Sequence, residues 1–372
     1  MSRVHLGDVA IEHKETCKED KSMYPIVGLE HLTPEQITLQ NWNLNTENTF
    51  TKVFRKGNIL FGRRRAYLKK AAVAPFDGIC SGDITVIEAK EDKIIPELLP
   101  FVIQNDDLFD FAVGKSAGSL SPRVKWTHLQ NYEFELPTKE KQRELAKVLW
   151  AIEDTRKSYQ ELIKRTDELV KSQFIELFGE YPETIKLCDL ADYRRGSFPQ
   201  PYGKSEWYDG EGAMPFVQVA DVGENMRLVE NTKQKISVLA QPKSVFVPKE
   251  SVIVTLQGSI GRVAITQYDC YMDRTLAVFE QYKTEVNKTC FAYQLKQKFV
   301  KEAELARGVT IKTITKEEFS NFEIAKAPIE LQNHFAEFIE QSDKSKFGKE
   351  MCDKWILEIK NLCCQMYLTL RQ

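Results

Sequence analysis

The sequence predicts an α+β protein that contains the same unit twice, each unit being a β-rich globular domain followed by a long α-helix. Three observations predict this fold class: two helical stretches longer than one domain face needs, an internal repeat, and strand-like segments that precede a short helix in each copy. With 372 residues, 42% of them hydrophobic, the chain is long enough for two or three domains with ordinary packed cores.

The first long helix is predicted over residues 138–180. Apolar residues recur three or four apart, as expected for one face of a helix, while charged residues fill the other faces. These apolar positions are Leu145, Val148, Leu149, Ile152, Tyr159, Leu162, Ile163, Leu169, Val170 and Leu177. Pro137 and Thr138 signal the start, and Gly179 signals the end. At about 1.5 Å per residue such a helix spans roughly 60 Å, which is more than the width of a small domain.

A second long helix is predicted over residues 328–372, beginning after Pro328. Its apolar positions are Leu331, Phe335, Phe338, Ile339, Met351, Trp355, Ile359, Leu362, Cys363, Met366 and Leu370. Two separate amphipathic helices of this length would leave their apolar faces in water, so we expect them to pair as an antiparallel coiled coil. The alternative is that each helix only covers its own domain.

An internal repeat sets the domain boundaries. A shift of 190 positions superposes many identical residues, and these matches extend into both long helices without a gap. The matched positions include Pro25 with Pro215, Val73 with Val263, Phe101 with Phe291, Gln104 with Gln294, Glu140 with Glu330 and Gln142 with Gln332. We therefore predict a first domain over 1–137, a central helix over 138–180, a second domain over 181–327 and a final helix over 328–372.

Each globular part combines strands with one late helix, which is typical of an α+β domain. Strands are predicted over 24–29, 58–62, 71–74 and 84–88 in the first copy and over 215–219, 251–256, 262–266 and 276–280 in the second. Helices are predicted over 95–111 and 290–306.

Motifs for catalysis and cofactor binding are missing from the sequence. There is no phosphate-binding glycine loop, no nucleophile elbow and no zinc-protease motif, and the eight cysteines form no C-x-x-C pair. We therefore predict no catalytic residue, no metal site and no cofactor bound by this chain. The N-terminal stretch lacks an apolar segment of signal-peptide length and no run is long enough to span a membrane, so we expect a cytoplasmic protein without a membrane partner.

A basic segment in the first copy is the strongest candidate for binding. Between Lys52 and Lys70 there are eight Lys and Arg residues and no Asp or Glu, in a chain whose net charge is −2. Three consecutive arginines follow a predicted strand, and arginine suits both phosphate oxygens and guanine edges. A solvated loop without a partner is the alternative interpretation.

The second copy has polar rather than basic residues at the equivalent place, and other loops also differ between the copies. This is the pattern expected of two related domains that recognise different targets, although the loops of any duplicated protein diverge. The candidate DNA-binding residues are Arg63, Arg64, Arg65, Tyr67, Lys69, Lys70, Ser119, Arg123, Lys125, Arg194, Arg195, Lys204, Gln257, Ser259, Arg262, Arg307, Thr310 and Lys312.

The chain resembles the specificity subunits of type I restriction-modification systems. In that family two target-recognition domains alternate with two long helices, and each helix is preceded by a motif of the form P-I-E-L-Q-x-x-F-A. The second copy matches this motif over residues 328–336, whereas the first copy keeps the Pro, Glu and Gln but moves the Pro one place earlier. The candidate subunit-docking residues are Pro137, Glu140, Gln142, Pro328, Glu330 and Gln332.

The resemblance implies a DNA-reading subunit without activity of its own. Its partners would be double-stranded DNA carrying a bipartite asymmetric site, two modification (methyltransferase) subunits and restriction subunits. S-adenosylmethionine, ATP and Mg²⁺ would bind to those partner subunits. The alternatives are a specificity subunit of another restriction class, a fused enzyme, and a coiled-coil adaptor that does not bind DNA.

Overall fold

The computed structural model describes residues 2–18, 21, 24–44, 48–223, 225–305 and 314–343. The chain divides into two compact units between Leu162 and Ile163.

The first unit contains nine strands and four short helices within its described residues, followed by the start of a long helix. The strands are β1 (Ser2–His5), β2 (Ala10–Glu12), β3 (Ile26–Val27), β4 (Lys52–Phe54), β5 (Ile59–Gly62), β6 (Ala71–Val73), β7 (Gly78–Cys80), β8 (Ile84–Ala89) and β9 (Glu133–Leu136). The helices are α1 (Leu6–Val9), α2 (Leu99–Ile103), α3 (Asp106–Gly114), α4 (Trp126–Leu129) and the long α5 (Lys139–Phe178). The strand orders are β2-β8-β5-β6, β3-β7-β4 and β1-β9.

The second unit repeats this order with one additional strand, β13, and with the single helix α7 in the place of α2 and α3. The strands are β10 (Thr184–Lys186), β11 (Ala191–Arg195), β12 (Met214–Val217), β13 (Gln234–Ile236), β14 (Val245–Val247), β15 (Val252–Thr255), β16 (Val263–Ile265), β17 (Cys270–Met272), β18 (Leu276–Tyr282) and β19 (Glu323–Ala325). The helices are α6 (Leu187–Leu190), α7 (Lys288–Leu305), α8 (Lys316–Ser320) and α9 (residues 329–343). The strand orders are β11-β18-β15-β16, β13-β12-β17-β14 and β10-β19.

In the sheets β2-β8-β5-β6 and β11-β18-β15-β16, the strands β5 and β15 are buried on both faces. Alternate residues along each strand point to opposite sides. In β5, Ile59 and Phe61 pack with the helices α2 and α3, while Leu60 packs with the smaller sheet. In β15, Val252 and Val254 likewise pack with α7, and Ile253 packs on the opposite side. Strands that are apolar at every position are therefore explained by burial on two sides.

The mixed architecture confirms the predicted α+β class, and every predicted strand overlaps an observed one. The helix predicted over 95–111 is wrong as a single element, because it divides into α2 and α3. Asn105 causes the break: its backbone is extended, and its side chain accepts a hydrogen bond from the backbone N–H of Asp107 as the N-cap of α3. The helix predicted over 290–306 is α7.

The constant offset of the repeat needs a correction inside the sheets. Ile59 pairs with Val73 at the start of the β5–β6 hairpin, and Val252 pairs with Ile265 at the start of the β15–β16 hairpin. Val73 therefore corresponds to Ile265 and not to Val263. Small insertions between strands shift the alignment locally.

The long helix α5 lies within the range predicted for the central helix and contributes to the cores of both units. Leu145 and Leu149 are buried in the first core, and Phe174 and Phe178 are buried in the second. In the second unit Phe335 of α9 packs against both phenylalanines, with ring centroids 5.8 and 5.3 Å apart. Residues 344–372 of the predicted final helix lie outside the described residues.

A buried glutamine attaches the start of each long helix to its globular domain. In the first unit the Gln142 amide donates to the carbonyl of Pro137 (2.8 Å) and accepts from the backbone N–H of Ile95 (2.9 Å). Gln332 makes the same pair of bonds in the second unit, to Ala327 (2.8 Å) and from Asn287 (3.0 Å). The repeated motif therefore fixes the position at which each helix leaves its domain.

Replacing Gln142 with Ala should lower the free energy of unfolding of the first unit by about 1–3 kcal/mol, because the buried carbonyl of Pro137 and the partly buried N–H of Ile95 lose their partner. Urea unfolding followed by circular dichroism measures this. Gln160→Ala on the same helix is the matched control, since Gln160 is only half-buried and makes no described hydrogen bond. Equal effects of the two substitutions would contradict this role for Gln142.

Candidate nucleic-acid interface

Three segments of the first unit meet at one end of the sheet β2-β8-β5-β6, where β5 ends and β8 begins. We call residues 63–70, 81–83 and 115–125 the first loop cluster. The backbone N–H of Arg63 donates to Asp83 (3.0 Å), that of Val124 donates to Arg63 (3.0 Å), and that of Arg65 donates to Pro122 (2.8 Å). Two loops that are distant in sequence, both predicted as binding segments, are therefore brought together by backbone hydrogen bonds.

Asp83 is the centre of charge pairing in this cluster. Its carboxylate accepts from Arg123 Nε (2.7 Å) and Nη2 (3.2 Å) and lies 3.5 Å from Nη1 of Arg64. The Arg123 guanidinium, followed by that of Arg64, holds the pKa of the Asp83 carboxyl below its usual range. Arg64 Nε also donates to the hydroxyl of Ser121 (3.1 Å). Both guanidinium groups are thus fixed in orientation while remaining partly exposed.

Some of the other basic side chains of the first loop cluster are bonded within the protein, and others have no partner among the described residues. Lys69 is paired with Asp106 (2.5 Å), and Lys70 donates to the carbonyl of Leu29 (2.8 Å). Arg65 has a left-handed backbone with φ of 54°, and its exposed side chain has no partner among the described residues. Arg63 is half-buried, and its Nε atom is buried without a partner.

Several predicted residues of this cluster are available at the surface. Tyr67 is 55% exposed, and Ser119 and Lys125 are exposed as well.

The prediction of a basic segment free of acidic residues is correct only along the sequence. In the fold, Arg55 is paired with Glu15 and Asp77, so the charge of this guanidinium is neutralised.

The equivalent turn of the second unit is stabilised by a threonine. The Thr255 hydroxyl donates to the carbonyl of Ser259 (2.6 Å) and accepts from the backbone N–H of Arg262 (3.0 Å). Gly258 and Gly261 have φ of 75° and 81°, which glycine adopts without strain. Residues 196–208, 256–262 and 273–275 form the second loop cluster at the corresponding sheet edge.

The remaining candidates of the second unit differ in whether their side chains are hydrogen-bonded within the protein. Gln257 is half-buried and Ser259 is exposed, both within the turn, whereas the Arg262 guanidinium is occupied by the carbonyl of Val222 (3.2 Å). Arg195 at the end of β11 donates to the carbonyl of Ile314 (3.2 Å).

Two further candidates of the second unit are engaged in ion pairs. Arg194 lies within β11 and is paired with Glu280 (2.5 Å), so its side chain points away from the turn of residues 256–262. Lys204 is paired with Glu206 (3.1 Å) and lies over the ring of Trp207. Arg307, Thr310 and Lys312 lie outside the described residues.

Two functional candidates were not predicted, and both lie in the short turn that precedes β8 or β18. Asp83 occupies this turn in the first unit and Arg274 occupies it in the second. Aligning the two copies on the strands on either side of the turn, rather than on one constant offset, would have placed these three-residue turns opposite each other.

The predicted docking residues divide into buried and exposed groups. Gln142 is 1% exposed and Gln332 is 7% exposed, and both are bonded internally. Both side chains position the helix starts, and their part in docking stays a prediction. Pro137 is also buried, whereas Pro328, Glu140 and Glu330 are exposed.

No cluster of three or more His, Cys, Asp or Glu side chains in the described part of the chain has the arrangement needed to hold a metal ion. Within the same residues, no helix is long and apolar enough to cross a membrane.

Replacing Asp83 with Asn should destabilise the first unit by about 0.5–1 kcal/mol at neutral pH, because partly exposed ion pairs contribute little. The folded pKa of Asp83 lies below its unfolded value of about 3.9, so the stabilisation is complete above that value and is lost as the pH falls through the folded pKa. The difference between wild type and variant should therefore shrink as the pH falls below about 4.

Urea unfolding over this pH range measures the difference. The control is Asp92→Asn, since the Asp92 side chain is 71% exposed and pairs only with its neighbour Lys93 among the described residues. A pH-independent difference for Asp83→Asn would contradict the assigned ion pairs.

Comparison with known proteins identifies related chains over most of the sequence. The family model of the type I restriction modification DNA specificity domain matches residues 3–165 and 182–350. A putative type I restriction enzyme MjaX specificity subunit from Methanocaldococcus jannaschii is 22% identical over 382 residues, which cover 92% of this chain and 87% of that protein.

Two solved structures share the fold. The S subunit of a type I restriction-modification system from M. genitalium matches with a TM-score of 0.61 and 12% identity, covering 97% of this chain and 95% of that one. A chain from a structure of complex assembly and conformational transition in the type I R-M system matches with a TM-score of 0.56 and 22% identity over the same shares of the two chains. The two segments matched by the family model include most of the sequence, and the chain belongs to the type I restriction-modification DNA specificity domain family.

Proposed function

We propose that this chain is the sequence-reading subunit of a type I restriction-modification complex, and that each of its two units reads one part of a bipartite asymmetric DNA site. One observation carries the proposal. Two sheets with the same strand order present, at the same edge, loop clusters of different chemistry. A shared scaffold with different surface side chains is what two readers of different half-sites require.

The chemistry of the first loop cluster supports contact with DNA. Arg64 and Arg123 are held in orientation by one carboxylate, so they lose little side-chain freedom on binding. Arg65 adds a free guanidinium, which forms two parallel hydrogen bonds to phosphate oxygens or to a guanine edge. Tyr67 and Ser119 supply exposed polar groups beside these cations.

The long helices complete the proposal. We infer that α5 and the final helix pair as an antiparallel coiled coil related by the internal pseudo-two-fold repeat, and that the two helix-start motifs with Glu140 and Glu330 each dock one modification subunit. Contacts of Phe174 and Phe178 with Phe335 inside the second unit support this pairing. Restriction subunits join the same complex. S-adenosylmethionine, ATP and Mg²⁺ bind to the partner subunits, and this chain has no catalytic role.

Replacing Arg65 with Gln should weaken binding of the full chain to duplex DNA and lower the slope of log affinity against log salt by about 0.9 if one phosphate contact is lost. Fluorescence anisotropy over a salt series measures both quantities. Arg65 is suited to this test because its side chain has no described partner, so its removal leaves the fold intact.

Arg55→Gln is the matched control. Arg55 belongs to the same basic segment but lies at the opposite end of β5 and is neutralised by Glu15 and Asp77, so its replacement should leave the slope unchanged. A wild-type chain whose affinity for DNA does not fall with salt would contradict the proposed function and would favour an adaptor that does not bind DNA.

A further inference from the structure

The turn before β8 in the first unit and the turn before β18 in the second unit have the same length but differ in charge. Ser81 to Asp83 lead into β8, and Asp273 to Thr275 lead into β18. Both turns are closed by the same hydrogen bond, from the first N–H of the strand to the carbonyl of the first turn residue (3.0 and 3.1 Å). The backbone is therefore equivalent, while the side chains differ: the second unit has Arg274 where the first has a glycine.

Arg274 is exposed and is held by a neighbouring ring. Its guanidinium carbon lies 5.4 Å from the ring centroid of Tyr202, within the range of a cation–π contact. The Tyr202 hydroxyl donates to the carboxylate of Asp273, which is 5% exposed. That carboxylate also accepts from the N–H (2.9 Å) and the hydroxyl (2.6 Å) of Thr275. Asp273 is therefore occupied by neutral donors, and Arg274 forms no ion pair with a described acidic residue.

The ring beneath Arg274 belongs to a packed aromatic cluster. Tyr202 and Tyr208 both stack on Phe198, with centroid distances of 4.9 and 5.2 Å. A side chain at Gly196 would collide with the carbonyl of Asp273, so a glycine is required where this loop crosses the turn. The aromatic cluster therefore gives the guanidinium a fixed support.

A second cation without an ion-pair partner among the described residues lies on the same aromatic cluster. Lys243 is exposed and its Nζ lies 4.7 Å from the ring centroid of Trp207. Lys204 lies over the same indole but is paired with Glu206. Arg274 and Lys243 thus give this sheet edge a positive charge that the polar turn of Gln257 and Ser259 does not supply.

We propose that Arg274 is a direct DNA contact of the second unit, donating to a pair of acceptors that are either phosphate oxygens or the O6 and N7 atoms of a guanine. The proposal rests on the proposed function. Ordering a long side chain on binding normally opposes affinity, and the support from Tyr202 lowers that cost before DNA arrives. A planar guanidinium keeps its five donors available while one face lies on an aromatic ring.

The test compares Arg274→Ala and Arg274→Lys with the wild-type full chain, using a duplex DNA pool of randomised sequence. Binding is measured over a salt series, and the bound fraction is sequenced to find the selected bases. Lys249→Ala is the matched control, because Lys249 is also exposed without a described side-chain partner but precedes β15 at the opposite end of that strand. Thermal unfolding checks that all variants are folded.

Arg274→Ala should weaken binding about 5- to 150-fold, the range for one good bidentate contact, whereas Lys249→Ala should not. A phosphate contact lowers the salt slope by about 0.9 and is largely retained by Arg274→Lys. A guanine contact relaxes the selected sequence within one half-site, and Arg274→Lys does not restore it. Folded Arg274→Ala that binds and selects as the wild type does would overturn the proposal, whereas a wild type that binds no duplex would overturn the proposed function itself.

Discussion

Both loop clusters contain the same backbone hydrogen bond, which joins the turn after β5 to the turn before β8 in the first unit and the turn after β15 to the turn before β18 in the second. In the first unit the N–H of Arg63 donates to the carbonyl of Asp83, and in the second the N–H of Leu256 donates to the carbonyl of Thr275 (2.8 Å). Because these bonds use only the backbone, they place few demands on the side chains. The loops are held in place while their chemistry is free to differ.

This arrangement separates the residues that stabilise the fold from the residues of the two loop clusters. The sheets are stabilised by apolar side chains on both faces, and the helix starts are fixed by buried glutamines that are the same in both copies. The loop edges carry an Arg64–Asp83–Arg123 cluster in one unit and an aromatic support for Arg274 in the other. The side chains of a loop cluster can therefore change without a change in the hydrophobic core.

Much of the fold could be predicted because its signals are local. Apolar strands such as β5 and β15 are recognisable from a few residues, and the apolar period of α5 extends over many turns. The division between α2 and α3 was missed because one N-capping side chain, Asn105, outweighs an apolar period that continues past it.

The candidate site was harder to predict because its electrostatics come from contacts between distant residues. Arg123 and Asp83 are 40 positions apart, so a count of charges along the sequence could not show that Asp83 holds two of the predicted arginines. Arg274 was missed because a single arginine between Asp and Thr has no distinctive pattern. Its support by the ring of Tyr202 is a contact between residues 72 positions apart, which only the fold reveals.

The central claim is that the two loop clusters are the surfaces that face DNA. Hydrogen–deuterium exchange of the full chain with and without duplex DNA tests this most directly, because slower exchange marks the backbone covered or ordered by the ligand. We expect DNA to slow exchange at residues 63–70 and 81–83 and at 256–262 and 273–275. Turns 55–58 and 248–250, at the opposite ends of β5 and β15, should be unchanged. Slower exchange at those opposite turns, with both loop clusters unaffected, would contradict the account.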